Sequence, residues 1–281
     1  MQKVAIVTGA NGGIGKEISR GLLLVGYEVI MACRNLTRSE PVRQELATET
    51  GGKVTLMELD LSSVASILAF VEQIESQSLS INLLFNNAGI IPPKPETTAD
   101  GIEYAMGVNY LGPYLLTQKI IPHMPPGGRI VNTCSLVYKY GKIGPDLFKP
   151  IDPKSYKPIR VYSHSKLAVY LGMLNLVPIC EERGLLINSY EPGIVNTSIL
   201  TMHHRLIDFL ANLFFRPFVR TPRSGARPAL YLALDPSIQS SGGLYSRTKR
   251  KIKRSEKIPM EWKGQLKEYT DLIINELKNK Q

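Results

Sequence analysis

The chain contains 281 residues, of which 34 are Lys or Arg and 24 are Asp or Glu, so its formal net charge is +10. Hydrophobic residues make up 43% and charged residues 21%, a globular composition that excludes a disordered or fibrous chain. No apolar stretch reaches the ~18 residues of a membrane span, and a predicted strand begins near the first residue, so we expect neither a transmembrane helix nor a signal peptide.

Short apolar runs alternate with longer helical patterns along the chain. The predicted strands are residues 3–7, 28–32, 53–58, 81–85, 129–132 and 185–190. The helical patterns between them include residues 14–25, a polar helix from about Ser39, and residues 64–74, whose apolar positions share one face. Near-continuous apolar strands separated by helices predict a parallel sheet covered on both faces. Right-handed crossovers make this an α/β, doubly wound, three-layer Rossmann fold in a single domain.

Three segments interrupt this pattern within the one domain, residues 1–281. They are an inserted Pro-rich loop at about 139–160, an apolar flap at about 198–220, and a basic tail at 247–281 with 11 Lys or Arg and 5 Asp or Glu. The simplest interpretation of the tail is a solvated surface, and an anionic membrane surface is an alternative. No aromatic residues interleave with its basic run, so we expect no nucleic-acid partner.

The cysteines are Cys33, Cys134 and Cys180, an odd number that lie far apart in sequence. This spacing predicts neither a disulfide framework nor a zinc site. We expect small buried hydrophobic side chains in a reducing compartment, which favours a cytoplasmic protein without a bound metal.

A glycine-rich turn, Thr8-Gly-Ala-Asn-Gly-Gly-Ile-Gly15, follows the first strand directly and precedes a helix. Glycine permits positive φ and close backbone approach, and a helix N-terminus presents free N–H groups to a pyrophosphate. This context therefore predicts a phosphate-binding turn. The residues we expect to surround the phosphates are Gly9, Asn11, Gly13, Ile14 and Gly15.

The spacing of this turn resembles the short-chain dehydrogenase/reductase family, and further motifs of that family follow in order. They are Leu59-Asp-Leu-Ser62, Asn86-Asn-Ala-Gly89, Asn109 within Gly107–Tyr110, Ser135, Tyr162-Ser-His-Ser-Lys166, and Pro192-Gly193 with Thr197. The resemblance covers nearly the whole chain. It implies a nicotinamide dinucleotide, and these further residues are expected to contact it: Asp60, Leu61, Asn87, Ala88, Gly89, Tyr162, Lys166, Pro192, Gly193 and Thr197.

Tyr162 and Lys166 lie four residues apart on a predicted helix and therefore face the same side. A free tyrosine has a pKa near 10, and a nearby ammonium is expected to lower it. Tyr162 then exchanges a proton with the substrate oxygen during hydride transfer, while Ser135 holds that oxygen. The resemblance implies that Lys166 also reaches the nicotinamide ribose and that Asn109 joins a water-linked proton relay.

An ordinary amphipathic pair is the alternative for Tyr162 and Lys166, which the phosphate turn and Ser135 disfavour. His164 lies two residues from Tyr162, on another face of the helix, and is not expected to be the base. His203 and His204 lack the spacing of metal ligands.

The residue that follows the second strand indicates which dinucleotide is preferred. NAD-preferring sites place an acidic residue there to bind the ribose 2′-hydroxyl. Here the strand is followed by Arg34 and Asn35. A guanidinium binds a 2′-phosphate through two hydrogen bonds, so the sequence predicts NADP(H) preference, with NAD(H) as the alternative.

Ser135 and Tyr162 are 27 residues apart, about twice the usual family interval. This insertion and the carboxyl-terminal segments resemble the retinol dehydrogenase-like branch of the family. The flap is rich in Leu, Ile and Phe, which suits an apolar alcohol or carbonyl substrate such as a retinoid, a steroid or a lipid aldehyde. The alternative is that these side chains pack in the core or at a subunit interface.

The sequence therefore favours an NADP(H)-dependent oxidoreductase that interconverts an alcohol and a carbonyl compound. The alternative is a non-catalytic nucleotide-binding regulator of the same fold. The resemblance also implies a homo-oligomer, and a weak peripheral membrane contact through the flap and the tail is a further hypothesis.

Overall fold

The computed structural model describes residues 2–193, 195, 220–246, 251–252, 258–259 and 261–278. Its strands are β1 (Val4–Thr8), β2 (Glu28–Cys33), β3 (Val54–Glu58), β4 (Ile81–Asn86), β5 (Arg129–Thr133), β6 (Leu186–Glu191), β7 (Leu244–Ser246) and β8 (Lys251–Ile252). Its α-helices are α1 (Gly13–Leu24), α2 (Leu36–Thr50), α3 (Val64–Ser76), α4 (Tyr104–Met106), α5 (Gly112–Ile120), α6 (Pro158–Glu182), α7 (Pro222–Leu234) and α8 (Glu261–Lys278). A π-helical turn (Gly107–Leu111) joins α4 to α5, and 3-10 turns cover Ile121–His123 and Leu136–Tyr140.

The strands form one sheet in the order β3-β2-β1-β4-β5-β6-β7-β8. The first seven pair in parallel and β8 pairs antiparallel with β7. Strand order reverses between β1 and β4, which opens a crevice at the carboxyl ends of these two strands. The predicted doubly wound Rossmann fold is confirmed, and its crevice is where such sheets bind ligands.

Both faces of the sheet are covered, as the near-continuous apolar strands predicted. Every residue of β1 and β2 is buried. One face packs against α3, α5, α6 and α8, and the other against α1, α2 and α7. On α3, the apolar face buries Ile67, Phe70, Val71 and Ile74. Each such side chain stabilises the fold by roughly 1.5–3 kcal/mol, so the core fixes where each strand ends.

Predicted and observed element ends differ where side-chain caps or unpredicted strands intervene. Helix α2 begins at Leu36 rather than near Ser39, because the Asn35 side-chain oxygen accepts a hydrogen bond from the Arg38 N–H and caps the helix. Strand β6 extends to Glu191, because Glu191 pairs with Ser246 of β7. The sequence analysis did not predict β7.

The inserted Pro-rich loop is held against the domain by polar contacts. His164 Nδ1 accepts a hydrogen bond from the Lys142 N–H at 2.8 Å. The Tyr156 hydroxyl donates to the Pro92 carbonyl at 2.8 Å, and Phe148 is buried. The loop is therefore packed onto the body of the domain beside α6.

The three cysteines are buried and free, which confirms the expectation of small buried side chains. In the described part of the chain, no helix combines the length and apolar content needed to cross a membrane. Most of the predicted flap and the basic run that begins the tail lie outside the described residues.

Candidate active site

The glycine-rich turn between β1 and α1 has the backbone shape that its sequence predicted. Gly9 and Gly13 have φ of +63° and +50°, a region that favours glycine. At Gly15 an added Cβ would lie 2.3 Å from the Gly9 carbonyl oxygen. Glycine is therefore required at these positions for the turn to close.

The N-terminus of α1 is open to an anion. Its N-cap is Gly12, which brings no side-chain cap, and the first turn contains no acidic residue. The first N–H groups of the helix are thus left for a ligand, and the helix dipole favours negative charge there. Asn11 is exposed beside this end and Ile14 is half-buried. The turn fits a pyrophosphate.

The segment after β4 is fastened to this turn through Thr8. The Thr8 hydroxyl donates to the Phe85 carbonyl at 3.2 Å and accepts from the N–H groups of Asn87 and Ala88, each at 3.0 Å. The Asn87 amide donates in turn to the Thr8 carbonyl at 2.9 Å. These four hydrogen bonds of Thr8 join the two sides of the crevice.

Arg34 follows β2 at the outer end of the crevice. Its side chain is exposed, and Nη1 donates to the Tyr104 hydroxyl at 2.7 Å. A phenol is a neutral partner, so the guanidinium keeps its charge available for an anion. The carbonyl oxygen of the Asn35 side chain is used for the cap of α2, which leaves its amide NH2 for any ligand contact.

In the segment after β3, the Asp60 carboxylate bonds to a residue of its own loop. Asp60 Oδ1 accepts from the Ser62 N–H and hydroxyl, at 2.9 and 2.6 Å. Leu61 is buried, and its carbonyl oxygen lies so close to α5 that an added Cβ at Gly112 would approach it to 2.2 Å. Asp60 and Leu61 thus form a fixed edge at the carboxyl end of β3.

Tyr162 and Lys166 lie on one face of α6, beside the end of β5. The Lys166 ammonium donates to the Thr133 carbonyl at 2.8 Å and lies 5.6 Å from the centre of the Tyr162 ring. The Ser135 side chain lies close enough to the Tyr162 hydroxyl to lower the pKa of that phenol. The structure therefore brings together the three side chains that the sequence analysis assigned to proton transfer.

The predicted lowering of the pKa of Tyr162 is wrong for these residues. Burial raises the pKa of Tyr162 to about 12, more than the Ser135 side chain lowers it. Burial also lowers the pKa of Lys166 to about 8. The ammonium is directed at the Thr133 carbonyl, and desolvation is the largest influence on the pKa of the phenol. At neutral pH, Tyr162 is a protonated phenol beside a mainly charged Lys166.

Asn109 lies in the π-helical turn, where its side chain makes three hydrogen bonds. Its Oδ1 accepts from the Ile90 N–H at 2.8 Å, and its Nδ2 donates to the Ile90 carbonyl and the Ser165 hydroxyl. An added Cβ at Gly89 would lie 3.3 Å from Asn109 Oδ1 and 3.4 Å from Lys166 Nζ. Glycine at position 89 therefore keeps space open next to the ammonium.

Buried asparagines lie on three strands of the sheet; the sequence analysis named Asn86 within a motif and missed Asn132 and Asn188. The Asn86 amide donates to Asn132 Oδ1 and the Thr117 hydroxyl, both at 2.8 Å, and Asn188 Oδ1 accepts from the Gly243 N–H at 2.7 Å. These residues fall at buried positions within β4, β5 and β6. Alternation along each strand gives no signal for them, because both faces of this sheet are buried.

Glu191, at the carboxyl end of β6, was also missed. Its side chain is buried, at 1% exposure. Burial raises the pKa of this carboxyl to about 7, against a smaller lowering by Lys139. The sequence signal was present, since an acidic residue stands between a predicted buried strand and Pro192-Gly193.

The remaining expected residues divide between described and undescribed positions. Gly193 has φ of +80° and packs against Arg220, which pairs with Val195 across a single parallel bridge. Pro192 is half-buried beside it.

Other residues that the sequence analysis singled out are Thr197, those of the flap, His203 and His204, and all of these lie outside the described residues. Nδ1 of His164 accepts from Lys142, so His164 supports the inserted loop. Among the residues described, no cluster of His, Cys, Asp and Glu could hold a metal ion.

Comparison with known proteins agrees with this geometry. Residues 3–148 match the family model described as short chain dehydrogenase. The chain is similar to retinol dehydrogenase 11 of Mus musculus, with 37% identity over 244 residues that cover 86% of this chain and 76% of the relative. It is also similar to retinol dehydrogenase 12 of Homo sapiens, with 36% identity over 247 residues, or 86% and 77% of the two chains.

A solved structure with a bound ligand shares the fold. A blue fluorescent protein from a metagenomic library, in complex with NADPH, superimposes with a TM-score of 0.70 at 25% identity, covering 88% of this chain and 96% of the other. Its NADPH supports a nicotinamide cofactor for this fold. The chain belongs to the short-chain dehydrogenase family of oxidoreductases, and within it resembles the retinol dehydrogenases.

Proposed function

We propose that this protein is an NADP(H)-dependent oxidoreductase that interconverts an apolar alcohol and its carbonyl compound. The observation that carries the proposal is the meeting of Ser135, Tyr162 and Lys166 at the end of β5, at the edge of the crevice. A phenol, a hydroxyl and an ammonium at this place match what proton exchange with a substrate oxygen requires.

Tyr162 is the proton donor for reduction of a carbonyl. Because its pKa is about 12, it carries the proton throughout the neutral range and gives it to the oxygen that Ser135 holds. Lys166, with a pKa of about 8, stabilises the negative charge left on the phenol oxygen. When bound, a nicotinamide supplies hydride to the carbonyl carbon in reduction and accepts it in oxidation. The alcohol then carries one hydride and one proton more than the carbonyl compound.

We expect the residues that would hold the cofactor to lie along the crevice; Thr197, outside the described residues, is included from the sequence alone. The phosphates fit the N-terminus of α1, with Gly9, Asn11, Gly13, Ile14 and Gly15 around them. Asp60, Leu61, Asn87, Ala88 and Gly89 follow β3 and β4 along the crevice, and Pro192, Gly193 and Thr197 follow β6. Lys166 would reach the ribose next to Tyr162, and Asn109 would support the relay from Lys166 through water.

Arg34 supports a preference for NADP(H) over NAD(H). It takes the place where a carboxylate would bind the ribose 2′-hydroxyl, and its hydrogen-bond partner is the Tyr104 hydroxyl rather than a carboxylate. An exposed guanidinium at this place suits a 2′-phosphate and gives a plain ribose no comparable partner.

Two features support an apolar substrate of retinoid, steroid or lipid-aldehyde type. The relatives described above are named retinol dehydrogenases. The sequence of the flap is rich in Leu, Ile and Phe, which suits contact with a hydrocarbon body. The flap and the basic tail are also the segments through which we propose a weak peripheral contact with membranes.

The test is an absorbance assay at 340 nm with purified protein and a panel of ketones, aldehydes, retinoids and steroids. We expect turnover with NADPH for at least one apolar carbonyl compound, and a lower rate with NADH. Cofactor binding without turnover on any of these compounds would contradict the proposal and favour a nucleotide-binding regulator. Absence of cofactor binding would contradict both.

A further inference from the structure

Glu191 is a buried carboxyl that has no hydrogen-bonding role among the residues the structure describes. It is one of three buried acidic residues in the described part of the chain. Glu28 pairs with Lys53 at 2.8 Å, and Glu103 accepts the N–H groups of Ala105 and Met106. Among the described residues, neither oxygen of Glu191 has a hydrogen-bond partner. Nearly all buried polar groups in proteins are hydrogen-bonded, so this carboxyl needs an explanation.

The pairing of β5 and β6 determines which way Glu191 points. Tyr190 pairs with Thr133, and their hydroxyls meet at 3.1 Å on the face that packs against α1 and α7. Successive strand residues point to opposite faces, so Glu191 points to the face covered by α6. Cys134, which lies 3.5 Å from the Lys166 carbonyl, is on that face, and its thiol is close enough to Glu191 to be influenced by its charge.

Glu191 adjoins segments that contain residues of the proposed reaction site. Cys134 directly precedes Ser135, and Pro192-Gly193 directly follows Glu191. Among the described residues, the other charged groups that act at this place are cationic: Lys139 acts on the Glu191 carboxyl, and Lys166 acts on the adjoining thiol. Cationic neighbours disfavour a cationic ligand here. An uncharged N–H or O–H group is the donor that suits such a carboxyl.

We propose that the Glu191 carboxyl accepts a hydrogen bond from an uncharged N–H or O–H donor of a molecule bound beside Ser135. The inference rests on the proposed function. Two sources supply this chemistry: the amide NH2 of the nicotinamide, or a second hydroxyl close to the reacting carbon of the substrate. Either one would donate a hydrogen bond to the carboxyl, which has no partner among the described residues. Glu191 therefore helps to select which ligand binds.

Two substitutions separate binding from folding. Glu191→Leu keeps the volume and removes hydrogen bonding, whereas Glu191→Gln keeps a carbonyl acceptor. Glu72→Leu, at an exposed site on α3, is the matched control. Because Glu191 has no partner among the described residues, the free protein should melt at the same temperature as wild type or higher in both variants.

The cofactor arm compares NADPH with its 3-acetylpyridine analogue, in which a methyl group replaces the amide NH2. Dissociation constants are measured by fluorescence titration. If the nicotinamide is the source, Glu191→Leu weakens NADPH about tenfold, leaves the analogue unchanged, and Glu191→Gln restores most of the affinity.

The substrate arm compares 1-octanol with 1,2-octanediol, which differ by one hydroxyl. The readout is the rise in melting temperature that each compound gives to the NADP⁺ complex, which needs no turnover. If the substrate hydroxyl is the source, Glu191→Leu abolishes the extra rise given by the diol and leaves both cofactors unchanged.

Either pattern supports the proposal. A Leu variant that binds both cofactors and both alcohols as wild type does overturns it. So does equal loss for all four ligands together with a lower melting temperature of the free protein, since that is a structural role. Both arms measure binding, so a wild-type protein that binds ligands but turns none over fails the proposed function separately.

Discussion

The crevice between β1 and β4, where the strand order reverses, has two sides that are built differently. The side formed by β1, β2 and α1 presents main chain: glycines with positive φ, a bare helix N-terminus and one exposed arginine. The side formed by β5, α6 and β6 presents side chains: Lys166 and Glu191 are buried and Tyr162 is half-buried. Main-chain recognition depends on backbone shape, which short motifs specify. The pKa values of the side chains on the other side depend on desolvation, which is set by how the whole fold packs around them.

The largest expected effect is on the side-chain side. Tyr162→Phe should lower the turnover number for carbonyl reduction by about 10²–10⁴, because the proton donor is removed. The dissociation constant for NADPH should change less than about threefold, since the phenol is not needed for phosphate binding. The measurements are the 340 nm assay and a fluorescence titration. Tyr140→Phe, at an exposed tyrosine, is the control; equal losses in both variants would remove Tyr162 from the mechanism.

On the main-chain side, Arg34→Asp tests the charge at the end of β2. It should weaken NADPH about 10- to 100-fold while NADH binding stays the same or improves, because a carboxylate repels a 2′-phosphate and accepts from a 2′-hydroxyl. Both affinities come from fluorescence titration. Arg183→Asp, an exposed arginine after α6, controls for net charge. An equal fall for both cofactors would show that Arg34 does not discriminate between them.

Gly15→Ala tests the shape of the turn itself. The new Cβ would meet the Gly9 carbonyl oxygen at 2.3 Å and the Asn87 amide at 2.6 Å, so the turn must open. We expect a loss of about 1–3 kcal/mol in the free energy of unfolding and weaker binding of both NADPH and NADH. Urea unfolding and titration are the measurements. Gly144→Ala, where a Cβ meets nothing within 4 Å, is the control, and equal stability in the two variants would contradict the argument.

The smallest effect concerns the pH dependence of stability at Glu191. Its pKa rises from 4.5 to about 7 on folding, so between these values the folded state holds a proton that the unfolded state has released. The free energy of unfolding therefore falls as pH rises through this range. The melting temperature of Glu191→Gln should exceed that of wild type by a margin that grows from pH 5 to pH 8, reaching about 2–6 °C. A constant margin would mean that the carboxyl titrates normally.

The two sides also differ in what the sequence could predict. The turn from Gly9 to Gly15 was predicted in position and shape, because glycine spacing between a strand and a helix acts locally. The pairing of Tyr162 with Lys166 was predicted from helical periodicity. The direction of the pKa change at Tyr162 was not, since burial by distant segments decides it. Glu191 and Asn132 were missed for the same reason: their environment comes from strands far apart in sequence.

The π-helical turn at Gly107–Leu111 has a consequence for how this chain tolerates length changes. Such a turn holds one residue more than the α-helical path between the same two ends. Removing a residue there would leave a regular α-helix between the same two ends, and the remaining residues of the turn would move into that α-helical path. Asn109 would then lose its hydrogen bonds to Ile90 and Ser165. In this segment the irregular turn is what holds Asn109 in place, so a more regular helix would weaken the site.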